Sequence, residues 1–284
     1  MDETKGHAVG RLDIRNVSKF YGDGPLRRQV LQDCSFSIEP GRLNVIIGPS
    51  GCGKSTLLKL IAGFESPSDG SILIDGAPVR GPGPDRLVVF QETALFSWMT
   101  TQDNILFGPR ARGEGMKKTR TEAQALLERI GLTAFRDKYP SQLSGGMQRR
   151  VELARAMINE PAVMLLDEPF RGLDAMTKVL MQEYFIRLYE ARPRTVVFVT
   201  TDIDEAVLLA DRMFVLSNIP ASLRFALEVD VPRPRSASQL FESDRANEIK
   251  LTALQVLHEE AMKSFSQGSR AAADFLDAYA RRSS

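Results

Sequence analysis

The sequence predicts an α/β fold: a mainly parallel sheet covered by helices, with an antiparallel β edge region near the N-terminus and a helical insertion. Three observations predict it. Short β-rich runs alternate with helical patterns through most of the 284 residues, as strands and crossover helices do. Four of the runs are apolar without a break, as strands covered on both faces must be. Between residues 104 and 142 the β signal vanishes and a helical pattern replaces it.

The elements follow in order. "RLDIRNVS" (11–18) and "CSFSI" (34–38) alternate like half-exposed strands, and "SILIDGAPV" (71–79) carries an Asp75-Gly76 hairpin signal. These make the antiparallel edge region. The core strands are "LNVII" (43–47), "LVVF" (87–90), "VMLL" (163–166) and "TVVFV" (195–199). In the insertion, Ala123, Leu126, Leu127 and Ile130 recur at helical spacing before Gly131. The expected main domain covers residues 11–225, with the helical subdomain inserted at about 97–155. Beyond Ser217, "FALEVDVPRPRS" (225–236) reads as a strand closed by prolines, and 240–265 and 271–279 read as two amphipathic helices. Residues 226–284 are thus a mostly helical appendage, free to pack on the core, extend a dimer contact or regulate it.

Composition narrows the function. Thirty-seven basic and 36 acidic residues give a net charge of +1, so charge makes no case for a nucleic-acid partner. Two cysteines, Cys34 and Cys52, are too few for a disulfide framework and fit a reducing compartment. The first residues, "MDETKGHAVGR", lack the apolar segment of a signal peptide, and no run approaches the roughly 18 apolar residues of a membrane span. The expectation is a soluble cytoplasmic chain.

The strongest chemical signal is "GPSGCGKST" (48–56), a phosphate-binding loop between the strand "LNVII" and the helix "TLLKLIAG". Gly48, Gly51 and Gly53 let the backbone curl so that N–H groups and a helix N-terminus surround phosphate oxygens. Lys54 adds a point charge and Ser55 a hydroxyl for Mg²⁺; Pro49, Ser50, Cys52 and Thr56 complete the nucleotide-binding stretch. The fold becomes a P-loop NTPase core. "VMLLDEP" ends a strand in two carboxylates that diverge, Asp167 for Mg²⁺ and Glu168 as general base. "LSGGMQRR" (143–150) puts Ser144, Gly145 and Gly146 at a helix start, a second anion-binding construction. Two such helix ends and one phosphate loop suggest a head-to-tail homodimer, each subunit's Ser144 and Gly146 closing on nucleotide held by the other.

With these motifs in order, the chain resembles the ATP-binding subunits of ABC transporters over about residues 11 to 220: "GPSGCGKST", Gln91 in "VVFQE", "LSGGMQ", "LLDEP" and "GLD" (172–174). The resemblance implies ATP hydrolysis, with Mg²⁺, driving a separate integral membrane permease from the cytoplasmic face of the inner membrane. It implies that Tyr21 stacks on adenine, that Gln91 senses Mg²⁺ and the attacking water, that Gln148 acts with the signature residues on the partner's ATP, and that Asp174 communicates across the dimer. "GPGPDR" (81–86), "ALFSWMT" (94–100) and "DIDEAVLLADR" (202–212) look most like the branch importing nitrate, sulfonates and taurine, which also uses an extracytoplasmic solute-binding protein.

One position departs from the family. Where relatives have a His contacting the γ-phosphate, this chain has Thr201; His7 and His258 lie outside any matching motif. A preorganised donor is worth about 2.7–4 kcal/mol, roughly 10² to 10³ in rate, so a slow ATPase is expected. An ATP-gated dimerising module with little hydrolysis is the alternative. A soluble ABC protein of repair or translation does not fit the length, and no Asn-Lys-x-Asp run supports a GTPase. Trp98 reads either as core or as part of a permease-facing surface. Cys52 reads as a thiol made reactive by the loop's N–H field or as a small tolerated residue. Arg149 and Arg150 are expected on a solvated or domain-facing surface.

Overall fold

The computed structural model describes residues 9–282, and the side chains of residues 9–263. His7 therefore lies outside the described residues. The chain runs β1 (Leu12–Tyr21), β2 (Arg28–Ile38), β3 (Leu43–Ile47), α1 (Lys54–Ala62), β4 (Asp69–Ile74), β5 (Ala77–Pro78) and β6 (Arg86–Val89). Then come α2 (Thr101–Ala111), α3 (Met116–Arg129) and α4 (Gly145–Ile158). The second half holds β7 (Val163–Asp167), α5 (Ala175–Ala191), β8 (Thr195–Thr200), α6 (Ile203–Leu209), β9 (Arg212–Leu216), β10 (Leu223–Glu228), α7 (Ala237–Glu242) and α8 (Asp244–Arg282).

Two sheets form. The antiparallel one has the order β2-β1-β4-β5, and Asp75 (φ 49°) with Gly76 (φ 79°) makes the tight β4–β5 turn. The other has the order β10-β9-β3-β8-β7-β6, with all pairs parallel except β10 on β9. The continuously apolar strands divide their side chains between two cores by the period of two. Val45, Met164, Leu166 and Phe198 face one core, which they share with α2 to α6 and α8. Ile46, Leu165, Val197 and Val199 face the other, which they share with α1 and the antiparallel sheet.

The C-terminal half differs from expectation at two places. The run "RMFVL" forms β9 beside β3, a central strand that the sequence reading does not single out. The two expected terminal helices are one 39-residue helix, α8, and the break falls at Ser243 instead. Ser243 Oγ accepts from the Ala246 N–H at 3.2 Å and so caps α8. Gly268 stays within the helix, where a glycine costs only about 1 kcal/mol relative to alanine. Ala246, Ile249 and Ala253 of α8 are buried in the core that holds α6. His258 is exposed.

Candidate nucleotide site

The carboxyl ends of four parallel strands lie side by side, the usual place for a ligand in an open α/β sheet. The register pairs Ile47 with Thr200, Asp167 with Val199 and Val89 with Leu166. Gly48, Thr201, Glu168 and Gln91 therefore all emerge just past one edge of the sheet. Contiguous sequence motifs become neighbours because each strand ends level with the next.

The loop after β3 curls through Gly51 (φ 76°) and Gly53 (φ 117°) before α1 begins at Lys54. At Gly53 a Cβ would also lie 3.0 Å from the side chains of Val30 and Leu31, so a larger residue meets both strain and a clash. The Lys54 side chain is buried, and its ammonium donates to the carbonyls of Gly48 and Pro49, each at 2.9 Å. Both partners are neutral, so this buried positive charge is available to an anion. Tyr21, Arg28, Val30, Ile219 and the loop line a cleft of about 410 Å³. The Tyr21 ring is partly exposed there and is anchored by its hydroxyl, which donates to Glu65 Oε2 at 2.5 Å. A flat ring beside a phosphate loop suits a nucleobase.

Ser55 Oγ donates to Asp167 Oδ1 at 3.0 Å. Burial pushes the Asp167 carboxyl up, Ser55 opposes that shift, and neighbouring Glu168 adds to it. A hydroxyl and a carboxylate already in contact are the oxygen donors a hard cation takes. Among the described residues no group of three His, Cys, Asp or Glu side chains is placed to hold a metal alone. The fit is to Mg²⁺ shared with substrate phosphates, which usually supply several of its ligands.

Glu168 sits in the left-handed region (φ 44°) at the end of β7, with its N–H bonded to Val199 O at 2.9 Å. Thr201 is exposed, whereas Thr200 is buried and accepts from the Asp202 N–H at 3.0 Å. Thr201 and Glu168 line a common cleft of about 480 Å³ with Arg171, Lys178, Asp202 and Glu205. The Thr201 position thus shares the cleft of Glu168, and it lacks an imidazole.

Ser144 caps α4 by accepting from the Met147 N–H at 3.3 Å. Gly145 and Gly146 open the helix, and a Cβ at Gly146 would lie 3.0 Å from Thr177. Gln148 donates to the carbonyls of Pro140 (2.9 Å) and Leu143 (3.3 Å) and accepts from Thr93 Oγ1 (3.2 Å), so in this chain its amide ties the signature loop to the segment after Gln91. The Gln91 side chain is exposed. Asp174 caps α5 by accepting from the Thr177 N–H at 3.0 Å, and the Thr177 contacts lower its carboxyl pKa.

Three expectations are corrected or decided by packing. Arg149 is not on a solvated surface: it is 4% exposed and faces the segment after β6, donating to Phe90 O (2.7 Å), to Gln91 O and to Glu152 Oε2 (2.6 Å). It fastens the signature helix to the Gln91 segment, a role that spacing along the chain could not reveal, since its partners lie nearly 60 residues away. Half-buried Arg150 donates to Ile130 O at 3.0 Å. Trp98 is not in the core but 70% exposed, beside Phe96 at a ring separation of 5.3 Å. Cys52 is fully buried, and that burial pushes its thiol up despite nearby Lys54, which overturns the reactive-thiol reading.

The geometry can now be set beside known proteins. A family model described as ABC transporter matches residues 31–171. The nitrate import ATP-binding protein NrtD of Synechococcus elongatus is 42% identical over 232 residues, 80% of this chain and 84% of that protein. The aliphatic sulfonates import ATP-binding protein SsuB of Bacillus licheniformis is 40% identical over 240 residues, 84% of this chain and 93% of that protein. A solved dimeric post-hydrolysis state of the ATP-binding cassette MJ0796, bound to ADP and phosphate, aligns with a TM-score of 0.66 at 29% identity, over 78% of this chain and all of that one. Identity at that level, sustained along most of both chains, makes this a family relationship: the chain belongs to the ATP-binding, ATP-hydrolysing subunits of ABC transporters.

Proposed function

We propose that this chain powers import of a small anion, such as nitrate, a sulfonate or taurine, by hydrolysing Mg²⁺-ATP beneath a separate membrane permease. The names of the nitrate and sulfonate relatives support the solute class. In this reading the permease is a different chain and this one sits peripherally at its cytoplasmic side; among the described residues no helix is long and apolar enough to cross a membrane. A solute-binding protein on the far side completes the system. Residues 11–225 form the ATPase unit, helical part included, and 226–284 the appendage. Two copies close head to tail around ATP, in keeping with the dimeric relative, so that Ser144, Gly146 and Gln148 serve the nucleotide held by the other copy.

The observation that carries this reading is the meeting of Lys54, the Ser55–Asp167 pair and Glu168 at one edge of the sheet. Lys54 and the loop hold the phosphates, and Ser55, Asp167 and Gln91 hold Mg²⁺, which when bound neutralises charge on the phosphates. Glu168 takes the proton of the attacking water. Tyr21 holds the adenine and Asp174 faces the partner copy. Turnover of Mg²⁺-ATP by the full chain tests it: Glu168→Gln should lower kcat by about 10² to 10⁴ while ATP still binds. Retained turnover in that variant would remove Glu168 from the role.

One observation favours a second reading. Thr201 lies in the cleft of the base without an imidazole, as an ATP-gated dimerising module that scarcely hydrolyses would. That reading holds if the unaltered chain dimerises on ATP without turnover and Thr201→His restores it.

A further inference from the structure

We propose that Arg171 is a catalytic residue: its guanidinium supplies the γ-phosphate donor that the Thr201 position lacks. The inference rests on the reading of the chain as a hydrolysing ATPase with Glu168 as base. Arg171 Nη1 lies 3.0 Å from Glu168 Oε2, and the turn beneath is fixed by the Arg171 N–H bonding to Glu168 O at 3.1 Å. The Glu168 side chain is only 12% exposed, whereas that of Arg171 is 60% exposed. One arm of the guanidinium holds the base while the others remain open to the cleft.

Distance makes this arm the right one. A water that Glu168 can deprotonate lies about 2.6–3.2 Å from its carboxylate, and the phosphorus it attacks about 3–3.5 Å further on. A guanidinium in contact with that carboxylate, with N–H groups pointing several ways, reaches the oxygens of the same phosphoryl group. In the step, the water oxygen bonds to the γ-phosphorus, its proton passes to Glu168, and the bond to the β–γ bridging oxygen breaks with its electron pair leaving on ADP. Arg171 keeps its proton throughout and stabilises the charge on the transferring group, as a guanidinium does well because it is planar and always charged.

The other candidate in the cleft is already committed. Lys178 Nζ donates to Asp202 Oδ2 at 2.7 Å and lies 3.8 Å from Glu205 Oε1. With Glu168, Asp202 and Glu205 all lining the cleft, three carboxylates face two cations, and Lys178 is held by two of those carboxylates. Arg171 is the freer cation: it gives Glu168 one of its five N–H donors and is 60% exposed, whereas Lys178 is 24% exposed between two carboxylates. A plain surface ion pair between residues 168 and 171 would be worth little, and the two roles differ in a measurable way.

The test is a double-mutant cycle on the full chain with Arg171→Gln, Thr201→His and both. Arg171→Gln should lower kcat about 10²-fold in the native background. In the Thr201→His background, where the imidazole supplies the contact, the loss should be about fivefold or less. Affinity for ADP with aluminium fluoride, which mimics the transferring phosphoryl group, should fall with kcat, while affinity for ADP alone stays unchanged. Equal losses in both backgrounds would show that Arg171 merely steadies Glu168. Unchanged aluminium fluoride affinity would overturn the proposal. If neither the native chain nor Thr201→His turns over, the hydrolysis reading has failed, and the aluminium fluoride comparison still decides whether Arg171 meets the phosphoryl position.

Discussion

Arg149 and Glu152 form a buried pair on one face of α4, 4% and 2% exposed, with Glu152 also accepting from the Ala94 N–H at 3.1 Å. Burial pushes the Glu152 carboxyl up and the Arg149 guanidinium down, and each charge opposes the other's shift. Such a pair adds little net stability, but removing one partner strands the other. Arg149→Met should therefore cost about 3–5 kcal/mol in urea unfolding, and it should free the carbonyls of Phe90 and Gln91. Arg149→Met with Glu152→Leu should recover part of that stability: the pair is gone, while Arg155, 3.7 Å from Glu152 Oε1, loses its carboxylate but keeps its bond to Ala94 O at 2.8 Å. If the double variant is no more stable than the single one, the cost lies in the carbonyl contacts instead. Motif residues such as Lys54, Asp167 and Glu168 are legible because each stands in a short contiguous run, Lys54 where the loop opens α1 and the two carboxylates at and just past the end of β7. Arg149 and Arg171 are not, because a charged side chain next to a motif looks like surface until the chain that folds over it is known.

The corner between β8 and α6 sets where Thr201 stands. Asp202 caps α6, its Oδ1 accepting from the Asp204 N–H (2.8 Å) and the Glu205 N–H (3.1 Å), while Oδ2 takes the Lys178 ammonium from α5. Burial raises the Asp202 carboxyl, but Lys178 and the two N–H donors outweigh it and the net shift is downward from 3.8. A depressed carboxylate stabilises the fold above its unfolded value and loses that contribution as pH falls through its folded value. Asp202→Ala should cost about 1 kcal/mol or somewhat more at neutral pH, the size of a lost cap. The gap between the unaltered chain and the variant should shrink once pH drops below 3.8, the ordinary value. Urea midpoints at neutral and acid pH measure this; a pH-independent gap would mean that Asp202 acts by shape alone. At this scale the strands flanking the motifs are legible from unbroken apolar runs. "RMFVL" carries the same signal but follows the α6 pattern with only Ala210 and Asp211 between, so helix and strand run together in the sequence.

Across the whole molecule, the six-stranded sheet separates two cores, and α8 closes one of them from outside. The antiparallel sheet, the parallel sheet and the helical part were legible because period-two and period-3.6 patterns differ. The single continuous α8 was not, since "SQGS" (266–269) reads as a break although a lone glycine only weakens a helix. How α8 attaches is visible only in packing. Ala253 is fully buried where α8 crosses α6, whereas Leu251 on the same helix is 61% exposed. Glu260, one turn and more beyond, accepts from the Asn218 N–H at 3.0 Å and pins the helix to the loop after β9. Ala253→Asp places an uncompensated carboxylate in that contact, with no space to receive it, and buried unpaired charge belongs to the small class of changes costing more than about 4 kcal/mol. Leu251→Asp should stay within about 0.5 kcal/mol, as surface changes do. Limited proteolysis should then cut α8 rapidly in Ala253→Asp and slowly in Leu251→Asp and the unaltered chain. Because α6 begins directly after the Thr201 corner, loosening α8 should also lower Mg²⁺-ATP turnover in Ala253→Asp alone. Equal protease resistance in the three proteins would mean that α8 is held elsewhere and that the ATPase unit stands without it.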